Sequence, residues 1–421
     1  MENRQGNLWQ ATAQEKVEAT PLSTDLSVDI AIIGGGFTGC SAALAAAGSG
    51  ASTVLLEANT IGHGGSGRNV GLANAGLWLP PDQIVAQMGE DAGHKLIALL
   101  GEAPERVFAL IEKHGIQCEP VRNGTLHCAH SPAGLNDLQE RHRQGNRFGA
   151  PLRLLDATET ARRTGSTRFH GALFDPRAGT IQPLAYCRGL VRAATQAGAR
   201  IHDRTTVSGL SHDGDAWVIR ANGHHLRAKA LLMATNAYHL GIETPFRPQF
   251  MSVYYSQFAT DPLPHDLRSE ILPGGEGCWD TALVMSSFRV DAAGRLIIGG
   301  MGNLEGAGSP VHRAWARRKL RTLFPKAGDL PIRHQWQGRI AMTSDHVPKI
   351  LEFGPNAYAC FGYSGRGIGP GTVFGASAAE ALLTGDTSNL PIAPVKHHSE
   401  QFAALRSAYY EFGATLTHAV K

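Results

Sequence analysis

The chain carries little net charge for its length. Across 421 residues the formal charge is +3, and the basic residues are scattered rather than run together. That excludes the basic stripe needed to hold a nucleic-acid backbone. Cysteine is scarce: Cys40, Cys118, Cys128, Cys187, Cys278 and Cys360 are dispersed, with no C-x-x-C among them. The spacing argues against a disulfide framework and fits free thiols in a reducing, cytoplasmic setting. No apolar run reaches the roughly eighteen residues of a membrane-crossing helix, and the opening MENRQGNLWQAT has no apolar signal core. The histidine pairs His224-His225 and His397-His398 lack Cys or acidic partners at ligand spacing, so no metal site is expected. No Ser–His–Asp pattern stands out. What remains is a chain of ordinary hydrophobic content, long enough for two or more domains.

Glycine, by contrast, is abundant, with 50 residues clustered in a few loops. Clustering in an α/β chain points to loops that let backbone approach a ligand closely. Val28 to Ile33 reads as a buried parallel strand, Phe37 to Gly48 as an Ala-rich helix and Thr53 to Glu57 as a second buried strand. Between the first strand and the helix, Gly34-Gly35-Gly36-Phe37-Thr38-Gly39 matches G-x-G-x-x-G in its confirming context. The glycines supply a tight turn, close approach of a pyrophosphate and close helix–strand packing, and the helix N-terminus offers N–H groups to the phosphates. Glu57, about 20 residues on, is placed to accept ribose hydroxyls and disfavours a 2′-phosphate. A second glycine loop, Gly62-His63-Gly64-Gly65-Ser66-Gly67-Arg68-Asn69-Val70-Gly71, exceeds the needs of a nicotinamide dehydrogenase and suits a flavin.

Residues 1–27 read as an irregular polar arm. Helical spacing holds over 82–115, and a helix is expected over Leu184 to Ala197, followed by a strand from Arg200 to Val207. Later strands are expected at Trp217 to Ile219, Ala230 to Ala234, Phe250 to Thr260, Leu296 to Gly299 and Tyr358 to Gly362, with a last helix over Val373 to Leu383. The fold class is α/β: a Rossmann-like FAD-binding domain from 28–80, 150–240 and 335–400, plus an α+β substrate domain with a mixed or antiparallel sheet from 81–149 and 241–334.

VDIAIIGGGFTGCSAALAAA, VLLEA and GGSGRNVG resemble the D-amino-acid-oxidase superfamily of FAD enzymes. The closer likeness is to the branch of sarcosine oxidase, glycine oxidase and γ-glutamylputrescine oxidase. GALFDP at 171–176 with Gln182-Pro183-Leu184, Ala234-Thr235-Asn236-Ala237-Tyr238, Trp336-Gln337-Gly338-Arg339 with Asp345-His346-Val347-Pro348, and Gly362-Tyr363-Ser364-Gly365-Arg366-Gly367 all resemble motifs of that branch, in order and over nearly the whole chain. GYSGRGIGPGT is similar to bacterial L-pipecolate oxidases. The resemblance implies FAD on Gly34, Gly36, Phe37, Thr38 and Gly39, with its adenosine ribose on Glu57 and Ala58. It places Ser66, Gly67, Arg68, Asn69 and Val70 beside the flavin. Val207, Thr235, Gly338, Gly365, Arg366, Gly367 and Ile368 complete the cofactor set.

Departures from the branch carry their own expectations. Asn69 and Ile340 stand where relatives carry a covalent flavin link, so FAD is expected to be non-covalent. No Lys occupies Leu296-Ile297-Ile298-Gly299, which leaves the electron acceptor open between oxygen and another partner. The branch's substrate-binding Lys falls near Gly369, and its loop His is Arg366. Arg366 is the lead carboxylate clamp; Arg289 and Arg339 are rival anchors. His346 and Tyr255 are further catalytic candidates, Tyr254 and Tyr363 candidate pocket walls, and His63 is as readily loop filler. The expected reaction is oxidation of a carbon–nitrogen bond by hydride transfer to flavin N5, giving an imine. A secondary or cyclic amino acid of the L-pipecolate, proline or sarcosine type leads, a γ-glutamylputrescine-type amine is the alternative, and a flavin-binding subunit of a larger dehydrogenase is a third reading.

Overall fold

A computed structural model describes residues 6–239, 241–244 and 246–420; the first five residues of the expected arm lie outside the described residues. Leu26–Ile33 is buried at Val28 and from Ile30 to Ile33, and pairs in parallel with both Thr53–Leu56 and His224–Met233. Arg200–His202 and Ala357–Phe361 extend the parallel sheet on either side, and Lys349–Gly354 closes one edge antiparallel. The helix Phe37–Gly48 is so rich in Ala that nearly every side can be covered; it packs between the sheet and the helices Pro183–Gln196 and Ile368–Thr384. This is the doubly wound arrangement in which ligands lie beyond the carboxyl ends of the strands.

The second sheet has eight strands in the order Ile332–Met342, Met251–Pro262, Arg295–Met301, Ser286–Val290, Gly277–Asp280, Thr125–Cys128, Ala172–Asp175 and Arg153–Leu155. All its pairs are antiparallel except Gly277–Asp280 with Thr125–Cys128. Its core is separate, built on Phe258, Phe288, Ile298, Trp315 and Phe324.

Several segments differ from the sequence expectation. Ala172–Asp175, Arg153–Leu155 and Ile332–Met342 belong to the second sheet although 150–240 and 335–400 were assigned to the FAD-binding unit. The helical run over 82–115 is three helices, Pro81–Met88, Glu90–Gly101 and Ala103–Lys113, broken where Gly89 takes φ +80° and where Pro104 opens the third. Their apolar residues Leu96, Leu100, Val107 and Phe108 join the core of the first sheet, not the second. The strand expected from Arg200 to Val207 is interrupted at Arg204, φ +46°, and resumes as Val207–Asp213. The polar arm contains a helix, Leu8–Thr12, whose Leu8 and Trp9 are fully buried.

Candidate active site

The carboxyl ends of three first-sheet strands open into Gly34–Phe37, Glu57–Asn59 and Ala234–Asn236. All line one cavity of about 500 Å³ that continues beneath the second sheet to Tyr255, Gln257, Ser287, Met301 and Arg339.

At the glycine end the backbone decides the shape. Gly34 sits at φ +112°, where an added Cβ would meet Ala234 O at 2.7 Å. A Cβ on Gly36 would meet Ser66 Oγ at 2.9 Å. The helix begun by Phe37 has no side-chain cap, and its Phe37 N–H donates to Ser66 Oγ (2.9 Å). Beyond Phe37 the N–H groups of this first turn take no side-chain cap, and an N-terminus so left and walled by glycine suits a diphosphate. Glu57 receives N–H groups from Gly35 and Asn59, both at 2.8 Å, and burial raises its pKa. These features fit the adenosine-diphosphate half of FAD. Ala58 and Val207 line the same stretch. Gly39 and Gly67 do not: they lie behind the wall, pressed against Gly34 O and Gly62 O, and serve packing.

The second glycine loop is held from three sides. Arg68 Nε donates to His63 O (2.7 Å) and its Nη1 to Gln337 O (3.2 Å), tying the loop to the strand Ile332–Met342. Trp336 Nε1 donates to Arg68 O (3.0 Å) and Trp9 Nε1 to Asn69 O (2.8 Å). Asn69 staples the loop to itself through Gly65 O, Ser66 O and Gly71 N. Ser66, Arg68, Asn69, Val70, Thr235, Gly338 and the run Gly365, Arg366, Gly367, Ile368 all line the cavity, as do His63 and Ile340.

Arg366 lies against two indoles, its guanidinium carbon 5.0 Å from the Trp279 ring and 5.9 Å from that of Trp78. Nη1 donates to Ala75 O at 2.9 Å. Burial lowers its pKa to about 10, so it stays a cation near neutrality. Arg339 covers the Tyr238 ring at 4.7 Å, and its backbone N–H donates to Tyr238 Oη (2.9 Å). Tyr255 donates to Ser287 Oγ (2.9 Å), and Tyr363 shares a hydrogen bond with Thr38 (2.8 Å); both line the cavity. His346 also lines it, at φ +55°, with Nδ1 unpartnered and its pKa lowered by burial.

Two candidates are corrected. Arg289 is outside the wall: fully buried, it donates to Ile181 O (2.6 Å) and Gly71 O (3.3 Å) and lies over Trp9, so it braces the glycine loop and has no edge for a substrate. Tyr254 likewise does not line this cavity. Gly369, where the branch's Lys was expected, is packed so that an added Cβ would stand 2.9 Å from Ala103 Cβ. Sequence reasoning missed Trp78, Trp279, Gln257 and Tyr410 in the wall. None sits in a motif with recognisable spacing.

Residues 29–381 match the model of the DAO family, described as FAD dependent oxidoreductase, and the chain belongs to that family. It is an FAD-dependent oxidoreductase. Gamma-glutamylputrescine oxidoreductase of Escherichia coli (strain K12) is 31% identical over 424 residues, spanning 97% of this chain and 98% of that protein. Probable oxidoreductase OrdL of Haemophilus influenzae is 30% identical over 382 residues, spanning 88% and 86%. The crystal structure of glycine oxidase from Geobacillus kaustophilus superposes with a TM-score of 0.71 at 19% identity, over 89% of this chain and 100% of that one. At that identity the likeness speaks to fold alone.

Proposed function

We propose that the enzyme oxidises the carbon–nitrogen bond of a small amine or amino acid that carries a carboxylate, with a secondary or cyclic amino acid of the L-pipecolate, proline or sarcosine type as the lead. One observation carries the reading. Among the described residues of the cavity wall, Arg68, Arg339 and Arg366 supply cations, while the single carboxylate is Glu57, at the glycine end. A wall so charged favours an anionic group on the substrate and disfavours a bare polyamine cation.

FAD, when bound, would supply the acceptor for a hydride from the carbon beside nitrogen. The chain's own residues do the rest. Arg366 takes the carboxylate, held flat by Trp78 and Trp279. His346, which lines the cavity and whose pKa partial burial lowers, is neutral and accepts the ammonium proton, so that the amine reacts in its free form. The apolar wall of Met285, Met301 and Ile340 excludes water from the reacting carbon. Asn69 and Ile340 offer no nucleophile to the flavin, and FAD is held non-covalently. The six unpaired, buried thiols support a reducing compartment, the cytoplasm. Among the described residues no helix is long and apolar enough to cross a membrane.

The 31% relative over nearly the full chain favours a second reading, a γ-glutamylputrescine-type substrate, which also carries a carboxylate. Anaerobic mixing of the flavin-loaded enzyme with L- and D-pipecolate, L- and D-proline, sarcosine, putrescine and γ-glutamylputrescine separates the readings. Bleaching of the flavin band by a cyclic or N-methyl amino acid is expected. Bleaching by γ-glutamylputrescine alone selects the second reading, and bleaching by putrescine alone overturns the carboxylate requirement. Admitting air then tells oxygen from another acceptor by the rate of recolouring.

A further inference from the structure

The C-terminal helix Ala403–Val420 lies on the strand Met251–Pro262 and the helix Ser309–Leu323. Its inner face carries polar groups that bond to the body of the protein. Ser407 Oγ accepts from Ser252 N (2.9 Å), Glu411 Oε1 accepts from Asn303 N and faces His312 Nε2 (both 3.1 Å), and His418 stacks on Trp315 at 4.0 Å.

The outer face inverts the usual surface pattern. Phe402, Leu405, Tyr409, Phe412, Leu416 and Val420 are 56–75% exposed and follow one another at steps of three and four, a single stripe. The remaining exposed positions of the helix are Ala404, Ala408 and Ala419, so the stripe itself carries no charge; the partly exposed Arg406 stands beside it, paired with Glu400 (3.6 Å). A surface helix ordinarily turns its charges to water, and an apolar patch beyond a few hundred Å² marks an interaction site.

We propose that this stripe is the interface between two copies of the chain, packed helix on helix about a two-fold axis near Tyr409 and Phe412. The three-and-four spacing is the seam that knobs-into-holes packing requires, and the alanines beside it let two backbones approach. An isologous contact asks that a patch complement itself, which an uncharged apolar stripe does without like-charge repulsion. Six side chains so exposed present on the order of 700 Å² of apolar surface, close to the ~800 Å² per partner of a stable interface. A lipid surface is the poorer fit, because a membrane-lying helix carries Lys and Arg on its polar face; here that face is turned inward onto protein. The same helix puts Tyr410 in the cavity wall, so the interface backs the active site.

The test is the mass of the full-length, FAD-loaded enzyme by light scattering across a dilution series, beside L405E/F412E. Expected are twice the chain mass for the parent, half of that for the variant, and equal flavin content in both to show that the variant is folded. A monomeric parent overturns the proposal, as does a variant that keeps the dimer mass. Flotation of the parent with phosphatidylglycerol vesicles that fails for L405E/F412E assigns the stripe to a membrane instead.

Discussion

Arg366 has two indoles and one carbonyl for company, and no carboxylate within ion-pairing distance among the described residues. A half-buried cation left without an anion is stabilised by whatever anion arrives, and the carboxylate of a substrate meets that need. Replacing Arg366 with Met is therefore expected to raise the substrate concentration for half-maximal flavin reduction by about 10- to 100-fold, roughly 1.4–2.8 kcal/mol. The carboxamide of the same substrate should lose little, because it never engaged the guanidinium. An equal loss for both, read by anaerobic stopped-flow, would sink the clamp and point to Arg339. The residue type was legible in the sequence because it stands in a glycine loop. Its setting was not: Trp78 and Trp279 reach it from distant parts of the chain. Arg289 shows the converse, an arginine of suitable type whose donors the fold directs to main-chain oxygens.

At the scale of elements, a short helix does the most for its length. Leu8–Thr12 was invisible to periodicity, since five residues make little more than one turn. Trp9 nevertheless sits edge-on to Trp336 at 5.7 Å, beneath Arg289, and holds Asn69 O. Trp9→Ala should cost ~3–5 kcal/mol of stability for the cavity it leaves, and loosen the loop 62–71. Thermal unfolding together with FAD titration checks this: lowered Tm with unchanged FAD affinity would confine Trp9 to packing. The contact between Ser309–Leu323 and the C-terminal helix makes a second test. His418 is buried, its Nδ1 2.8 Å from that of His312, and burial lowers its pKa to about 3. Its folded pKa lies below the unfolded value of about 6.5, so between these the unfolded chain binds the extra proton. Stability is then full above about pH 6.5 and falls as the pH drops toward 3, by up to ~1.4 kcal/mol per pH unit for one proton. His418→Phe should flatten that slope in Tm against pH; an unchanged slope assigns the acid sensitivity elsewhere.

At the scale of the whole molecule, two eight-stranded sheets meet across a cavity. The opening strand–glycine–helix–strand was legible because local pattern alone dictates it: the helix Phe37–Gly48 has the bounds its Ala run foretold. The partition between sheets was not. Arg153–Leu155 and Ala172–Asp175 carry no local mark of which sheet they join; they pair with each other, and only the long-range pairing of Ala172–Asp175 with Thr125–Cys128 ties them to the second sheet. The cavity wall draws on both sheets, Gly34 to Thr38 from one and Tyr255, Gly338 and Arg339 from the other. A cofactor lying along it binds the folded molecule and not the unfolded chain, so FAD should stabilise the assembly as a ligand does, by about 2.7 kcal/mol at a hundredfold excess over its Kd. Stripping the flavin with bromide at low pH should lower Tm, and adding FAD back should restore it in a concentration-dependent way. Heat-denatured holoenzyme should release its yellow colour into the supernatant, because neither Asn69 nor Ile340 can form a bond to the ring. Colour retained in the precipitated protein would mean a covalent link from another residue of the wall, with His63 and His346 the first to examine.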